Sequence, residues 1–355
     1  MKKGFVILIL ACTCLANFRF TKPRLHKNLK ALGKIEIKEK LSEYGFFEGK
    51  LSDLKPIATV LPYELNMPLF SDYAVKRRFV RLPDGEAAVY NPDSTFQFPI
   101  GTVLIKNFIF PFDLNHPEKG QRIVETRLLL QDGDGWNALP YIWNEAQTEA
   151  VLEPVGDTKS VSFKDLKGQK KTFAYDIPNI NQCRDCHVRF DKLGLIGPTA
   201  RQLNGDFNYA EGIENQLIAW KKRGILRGVP ETFSTIPKLP SLTDKAASLD
   251  AKARAYLDIN CAHCHNRHGQ AFTSGMFLDW KMQDSTALGF NKSPVAAGRG
   301  SGNRKYAIVK GKPHESILVY RMSSTDAGEM MPELARKLTH TEGVDLIREW
   351  IKSMR

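Results

Sequence analysis

Two pentapeptides carry the chemistry most visible in this chain: Cys183-Arg-Asp-Cys-His187 and Cys261-Ala-His-Cys-His265. Each sets a histidine directly after a Cys-x-x-Cys pair, the spacing of a c-type haem attachment site. Two thiols so spaced add across the two vinyl groups of one haem, and the adjoining imidazole is then held beneath the iron as its proximal ligand. Cys183, Cys186, Cys261 and Cys264 are all the cysteines outside the N-terminal segment. The motifs therefore imply two covalently bound haems c, with His187 and His265 ligating iron. A structural zinc site would bring two Cys-x-x-Cys knuckles to within about 15–20 residues, whereas residues 188–260 separate these. A thioredoxin-like dithiol or a disulfide would leave the repeated histidine without a role.

Around the second motif the sequence supplies helices to position it. Ala253, Tyr256 and Leu257 share one face of a helix expected over 249–260, which delivers the chain into Cys261. Val344, Ile347, Trp350 and Ile351 make an amphipathic terminal helix. Two helices bracketing a haem motif, with a methionine between them, form a class I cytochrome c-like arrangement. Gly328-Glu-Met-Met-Pro332 provides the methionine, and Met331 is the expected sixth ligand, with Met330 next. A thioether opposite imidazole favours ferrous iron, raises the potential and suits electron transfer. The competing use of both methionines is core packing.

The first motif has no Met-Pro pair between it and residue 229. A carbonyl in Gly197-Pro198 is expected to accept from Nδ1 of His187, as partners of ligating imidazoles do. Met67 and His116, each before a proline, are sixth-ligand candidates from the β-rich part, against packing or turn roles for both; an open sixth position is equally admissible. Asp132-Gly-Asp-Gly135 lacks the remaining oxygens of a calcium loop and reads as a hairpin turn. Gly298-Arg-Gly-Ser-Gly302 follows no clear strand and reads as a flexible loop, while His263 and His268 are expected at the surface or near propionates.

The N-terminus fits an extracytoplasmic location, periplasmic in a bacterial cell. Lys2 and Lys3 precede an apolar run, Phe5 to Leu15, too short to span a bilayer. Cleavage after Ala16, giving a signal peptide over 1–16, and lipidation at Cys12, giving a membrane anchor, both remain open. No later stretch is apolar for long enough to span, so no transmembrane segment is expected in the mature chain. Of 355 residues 42% are hydrophobic, enough for two or three cored domains. The net charge of +12 is spread without an arginine block or interleaved aromatics, which argues against nucleic acid and fits docking to an acidic redox partner protein.

The fold class expected is α+β and multidomain: an antiparallel β-sandwich-like N-terminal region followed by mainly α-helical, cytochrome c-type haem domains. A short helix over 34–47 leads into a β-rich domain (34–177) with strands near 79–82, 102–110, 123–130, 138–143, 161–164 and 171–175. A first haem segment (178–228) carries a helix over 209–223, with Ile213, Leu217 and Trp220 on one face and Gly224 ending it. Residues 229–243, rich in proline and serine, read as a linker, and 244–355 as a second haem domain.

Taken with Pro62-Tyr-Glu-Leu-Asn-Met-Pro-Leu-Phe-Ser-Asp-Tyr73, Phe98-Pro-Ile-Gly-Thr102, Leu139-Pro-Tyr-Ile-Trp-Asn-Glu145 and Ala200-Arg-Gln-Leu-Asn204, the motifs resemble an uncharacterised family of bacterial dihaem c-type cytochromes. The resemblance covers nearly all of the mature chain. It implies one haem on Cys183, Cys186 and His187 and another on Cys261, Cys264 and His265, with Met331-Pro332 in the second haem domain. Three functions compete: electron transfer, a dihaem oxidoreductase such as a peroxidase with the first haem open to substrate, and a β-domain binding subunit of an extracytoplasmic dehydrogenase. Electron transfer leads the three, and the residues favour an electron-transfer protein over a stand-alone enzyme.

Overall fold

Apolar residues in period-two alternation, punctuated by Gly, Pro and Asp, make the first half of the chain a sheet former. The computed structural model describes residues 35–189 and 192–355; the expected export segment, including Cys12 and Ala16, lies outside them. The architecture is mixed α+β, with a β-rich N-terminal half and a helical C-terminal part. Strands β1 (Leu61–Tyr63), β2 (Val75–Arg81), β3 (Val103–Pro111), β4 (Gln121–Gln131), β5 (Trp136–Trp143) and β6 (Ala150–Leu152) pair antiparallel in chain order as a meander. A separate hairpin, β7 (Asp157–Lys164) and β8 (Lys170–Ile177), packs over one end of this sheet through Val161, Phe163 and Tyr175 against Phe108 and Phe110. Four further two-stranded pairings complete the β-structure among the described residues. All six expected strands overlap these elements. Asp132 closes the β4–β5 turn by accepting from the amides of Asp134 (2.8 Å) and Gly135 (2.9 Å).

The sheet's two faces differ in kind. Phe79, Ile105, Leu128 and Tyr141 line one, which Ile37, Leu41, Phe46 and Leu54 close. The helix expected over 34–47 is only a 3₁₀ turn, Leu41–Tyr44. Lys40 bridges Val151 at the sheet edge, so pairing with the sheet overrides the local helical spacing. The opposite face is apolar at both ends and charged in the middle. Val80, Leu104 and Leu129 form one cross-strand row, Arg78, Lys106 and Arg127 the next, and Lys76, Phe108 and Glu125 the one after.

Six helices follow: α1 (Ile180–His187), α2 (Ala200–Leu203), α3 (Gln216–Lys222), α4 (Leu249–Asn260), α5 (Ile317–Ser323) and α6 (Thr341–Lys352). The helix expected over 209–223 starts only at Gln216. A hairpin, β9 (Asp206–Tyr209) and β10 (Gly212–Asn215), takes its first half and leaves Ile213 75% exposed. Asn215 explains the boundary, since its side chain accepts from the Leu217 amide at 2.9 Å and caps α3. Gly224, at φ 70°, ends α3 as expected.

Residues 229–243 are a packed strap: Val229, Ile236 and Leu239 are buried, and the Leu239 amide donates to the Arg201 carbonyl at 2.9 Å. One apolar core runs from Tyr63 through Trp220, Leu239 and Tyr256 to Ile351. Polar ties cross it: Arg201 pairs with buried Asp258 at 3.0 Å, and the Phe70 amide donates to Asn260 Oδ1 at 2.8 Å. Helix α4 matches its expected span, and α4 and α6 both bury their expected faces. They meet where Gly343 faces Tyr256; a Cβ at Gly343 would lie 2.3 Å from Tyr256 Oη, so no larger residue permits this contact.

Candidate functional site

The first motif is built on α1. Asn179 and Gln182 form a reciprocal capping box at its start, and the helix lies against β5. After His187 the short pair 188–189 with 192–193 folds the chain back. This return brings the Gly194 carbonyl to 2.8 Å from His187 Nδ1. A carbonyl only accepts, so Nδ1 carries the proton and Nε2 keeps its lone pair. The acceptor is Gly194, not the expected Gly197-Pro198. Those two carbonyls are engaged by the amides of Thr199 (2.8 Å) and Phe96 (3.1 Å).

The second motif begins where α4 stops. The His265 amide donates to the Cys261 carbonyl at 2.9 Å, winding the pentapeptide into tight turns. Gly269 is required here, because a Cβ would sit 2.3 Å from the Cys264 carbonyl oxygen. His265 Nδ1 faces the Met276 carbonyl at 3.3 Å, which again leaves Nε2 unprotonated with its lone pair free. Burial holds both imidazoles neutral, His187 pushed down to about 3 and His265 to about 4. A neutral imidazole is the form that ligates metal.

The two motifs, distant in sequence, touch. The ligand atoms of Cys186, His263 and Cys264 lie within 4.8 Å of one another. Cys264 Sγ is 3.8 Å from the Asp185 carbonyl, and Gln270 Nε2 donates to Asp185 Oδ1 at 3.3 Å. A hydrogen bond from Cys264, aided by His263, pulls the Cys186 thiol down to about 5; the same contact pushes Cys264 up. His263, expected at the surface or near propionates, is 7% exposed, so it is not at the surface, and its Nδ1 has no partner among the described residues. Its role is invisible in sequence because the facing wall comes from α1.

Near α5, Met330 is buried and Met331 half-buried, on a loop tied by Met331 amide to Arg321 carbonyl (3.0 Å) and by Arg336 Nη2 to Ser324 carbonyl (2.6 Å). The β-rich half fastens this loop. Asp72, 1% exposed, accepts from the amides of Lys337 (2.8 Å) and Leu338 (2.7 Å) through one oxygen. Asp72 and Tyr73 both adopt left-handed backbone, φ 51° and 65°, a strain that the surrounding contacts must offset. Met67 is fully buried in the apolar core, which is the packing role. His116 stands exposed beside Glu118, in the turn role. The 298–302 segment is a 3₁₀ turn packed on α5, with Arg299 paired to Asp326 at 2.5 Å.

His340 caps the same end. It stacks on Phe70 (4.2 Å between centroids), meets Tyr73 edge-on and shares a 3.0 Å hydrogen bond with Tyr256 Oη. Burial pushes its pKa down to about 4. The unfolded chain therefore binds this proton first: stability is full above about pH 6.5 and falls as pH drops toward 4, by about 2–3 kcal/mol. Denaturant melts across that range should show the decline, and His340→Gln should make it shallower without abolishing it, because His187 and His265 are held down in the same way.

A cleft of about 520 Å³ beside Trp280, Trp350 and Arg254 lies at the start of α4, whereas the cysteines lie at its end. Comparison with family models, with curated proteins and with solved structures finds no match. The donor set itself limits the chemistry. Cys186, His263 and Cys264 offer a soft metal three ligands, one short of a closed tetrahedral zinc site. That grouping leaves Cys183, Cys261 and the two carbonyl-bound histidines unused. Two haems would engage all four free thiols and both available Nε2 atoms. Among the described residues no helix is long and apolar enough to cross a membrane.

Proposed function

We propose that this protein is an exported, extracytoplasmic dihaem c-type cytochrome that transfers electrons. One observation carries the reading: each Cys-x-x-Cys pair is followed by a half-buried, neutral histidine whose Nδ1 is committed to a main-chain carbonyl, in two separately built loops. Haem iron, when bound, supplies one-electron exchange. The chain's residues would do the rest. Cys183 with Cys186, and Cys261 with Cys264, would hold the two groups; His187 and His265 would ligate, oriented by Gly194 and Met276. Met331 is the proposed sixth ligand of the second. The proximity of Cys186 to Cys264 supports a single coupled pair of centres, through which an electron passes without leaving the protein. The crossing of α4 and α6 supports a cytochrome c-like C-terminal unit. Excess positive charge favours an acidic redox partner.

A peroxidase-like reading is favoured at the first motif by one fact: Met67 is used in the core and His116 is exposed, so neither expected sixth ligand is committed to His187. Cyanide and peroxide separate the two functions. Spectra of both haems unchanged by either ligand support electron transfer, and rapid peroxide turnover displaces it. The cofactor is tested first, by the mass and visible spectrum of the denatured, exported protein. Two haems per chain are expected, with His187→Ala or His265→Ala retaining pigment but altering the spectrum. A mass equal to bare polypeptide ends the reading.

A further inference from the structure

The charged middle of the sheet's enclosed face is unusual, because three adjacent strands set cations side by side where strand partners are normally apolar or oppositely charged. Arg127 is balanced: Glu125, fully buried, accepts two of its hydrogen bonds at 2.6 and 2.8 Å. Arg78 is half-balanced. Its Nη1 reaches Glu64 at 2.7 Å, while Nη2 is buried without a partner. Lys76, 9% exposed, and Lys106 have no ion pair among the described residues. Lys106 and Arg127 instead crowd the Phe108 ring, at 4.7 and 4.3 Å.

Such an arrangement is costly in a protein alone, since buried charge needs compensation. Burial and neighbouring cations push Lys76 down to about 7 and Lys106 well below the lysine range. The band also lies beside the first motif: Arg127 pairs with Pro140 on β5, the strand against which α1 and residues 192–193 pack. The carboxylates at this face, Glu125, Glu64 and Asp72, are each engaged elsewhere, which leaves the lysines without an ion pair.

We propose that Lys76, Arg78 and Lys106 form a carboxylate clamp for the propionates of the haem carried by Cys183 and Cys186. The inference rests on the dihaem reading above. The acid groups fit by count and chemistry: Arg78 Nη2 offers an unused fork donor and two ammonium groups make no ion pair among the described residues, matching two propionate carboxylates. Glu64 and Asp72, the remaining acids at this face, are already engaged by Arg78 and by the 337–338 amides. The clamp gives the meander a task in the haem chemistry, that of fixing the first haem's edge and raising its potential with fixed positive charge.

The test is potentiometric, on the haem-loaded full chain. Lys106→Met and Lys76→Met should each lower the midpoint potential of one haem while keeping two haems per chain, and the double variant should lower it further. Lys106→Arg should restore it, which a merely space-filling role would not. Should the double variant fail to fold, resonance Raman propionate modes of Lys106→Met against wild type give the same answer. Unchanged potentials and unchanged propionate modes, with both haems attached, overturn the clamp and leave the dihaem reading intact. Absence of haem in the wild type overturns the reading itself. A saturable shift on adding inorganic phosphate, lost in Lys106→Met, would mean the band is open to free anions and overturn its occupation by propionate.

Discussion

Asp72→Ala should weaken the folded protein by about 3 kcal/mol, the size expected when a buried carboxylate that accepts two amide hydrogen bonds is removed. It should also lower the potential of the haem proposed on Cys261 and Cys264, with haem content unchanged. Asp72 sits in the β-rich half, yet its Oδ1 holds the amides of Lys337 and Leu338, just beyond Met331. Without it the strained turn at Asp72 and Tyr73 has less to offset its left-handed backbone, and the loop loses its fastening. Asp72→Asn keeps an acceptor oxygen and should cost less on both counts. Chemical denaturation and redox titration measure the two effects separately. Lost stability with an unaltered potential would show that Asp72 braces the fold without positioning a ligand.

Met331→Ala should lower one haem's potential by an amount of order 0.1 V, within the roughly 0.8 V that axial ligands command. Stability should change little, because Met331 is only half-buried. Met330→Ala is its control. Met330 is 8% exposed, so truncation should cost about 2–4 kcal/mol as a cavity opens. Its effect on potential should be the smaller one. If the two potentials respond the other way round, the ligand is Met330.

Elements whose own residues decide them were legible. Helices α4 and α6, with their buried faces, and the strands of the meander follow from periodicity and turn chemistry alone. Those decided by distant partners were not. Residues 35–47 lost their helical spacing to the edge of β6, and the 209–223 helix was halved by a hairpin whose cue, Asn215 as a cap, lies inside the apolar pattern. At the site, the thiol pairs and histidines are readable from spacing. Their acceptors Gly194 and Met276 are backbone groups and carry no residue signal. His263 and Asp72 acquire their roles from segments far along the chain, so neither pattern nor composition points to them.

Asp72, Arg201 and Phe70 reach across to Leu338, Asp258 and Asn260, so the C-terminal third depends on the meander for its shape. It follows that this protein is not two exchangeable modules in series. Residues 244–355 expressed alone would present raw apolar surface and a slack methionine loop, and grafting another domain in their place would leave the sheet without its lid.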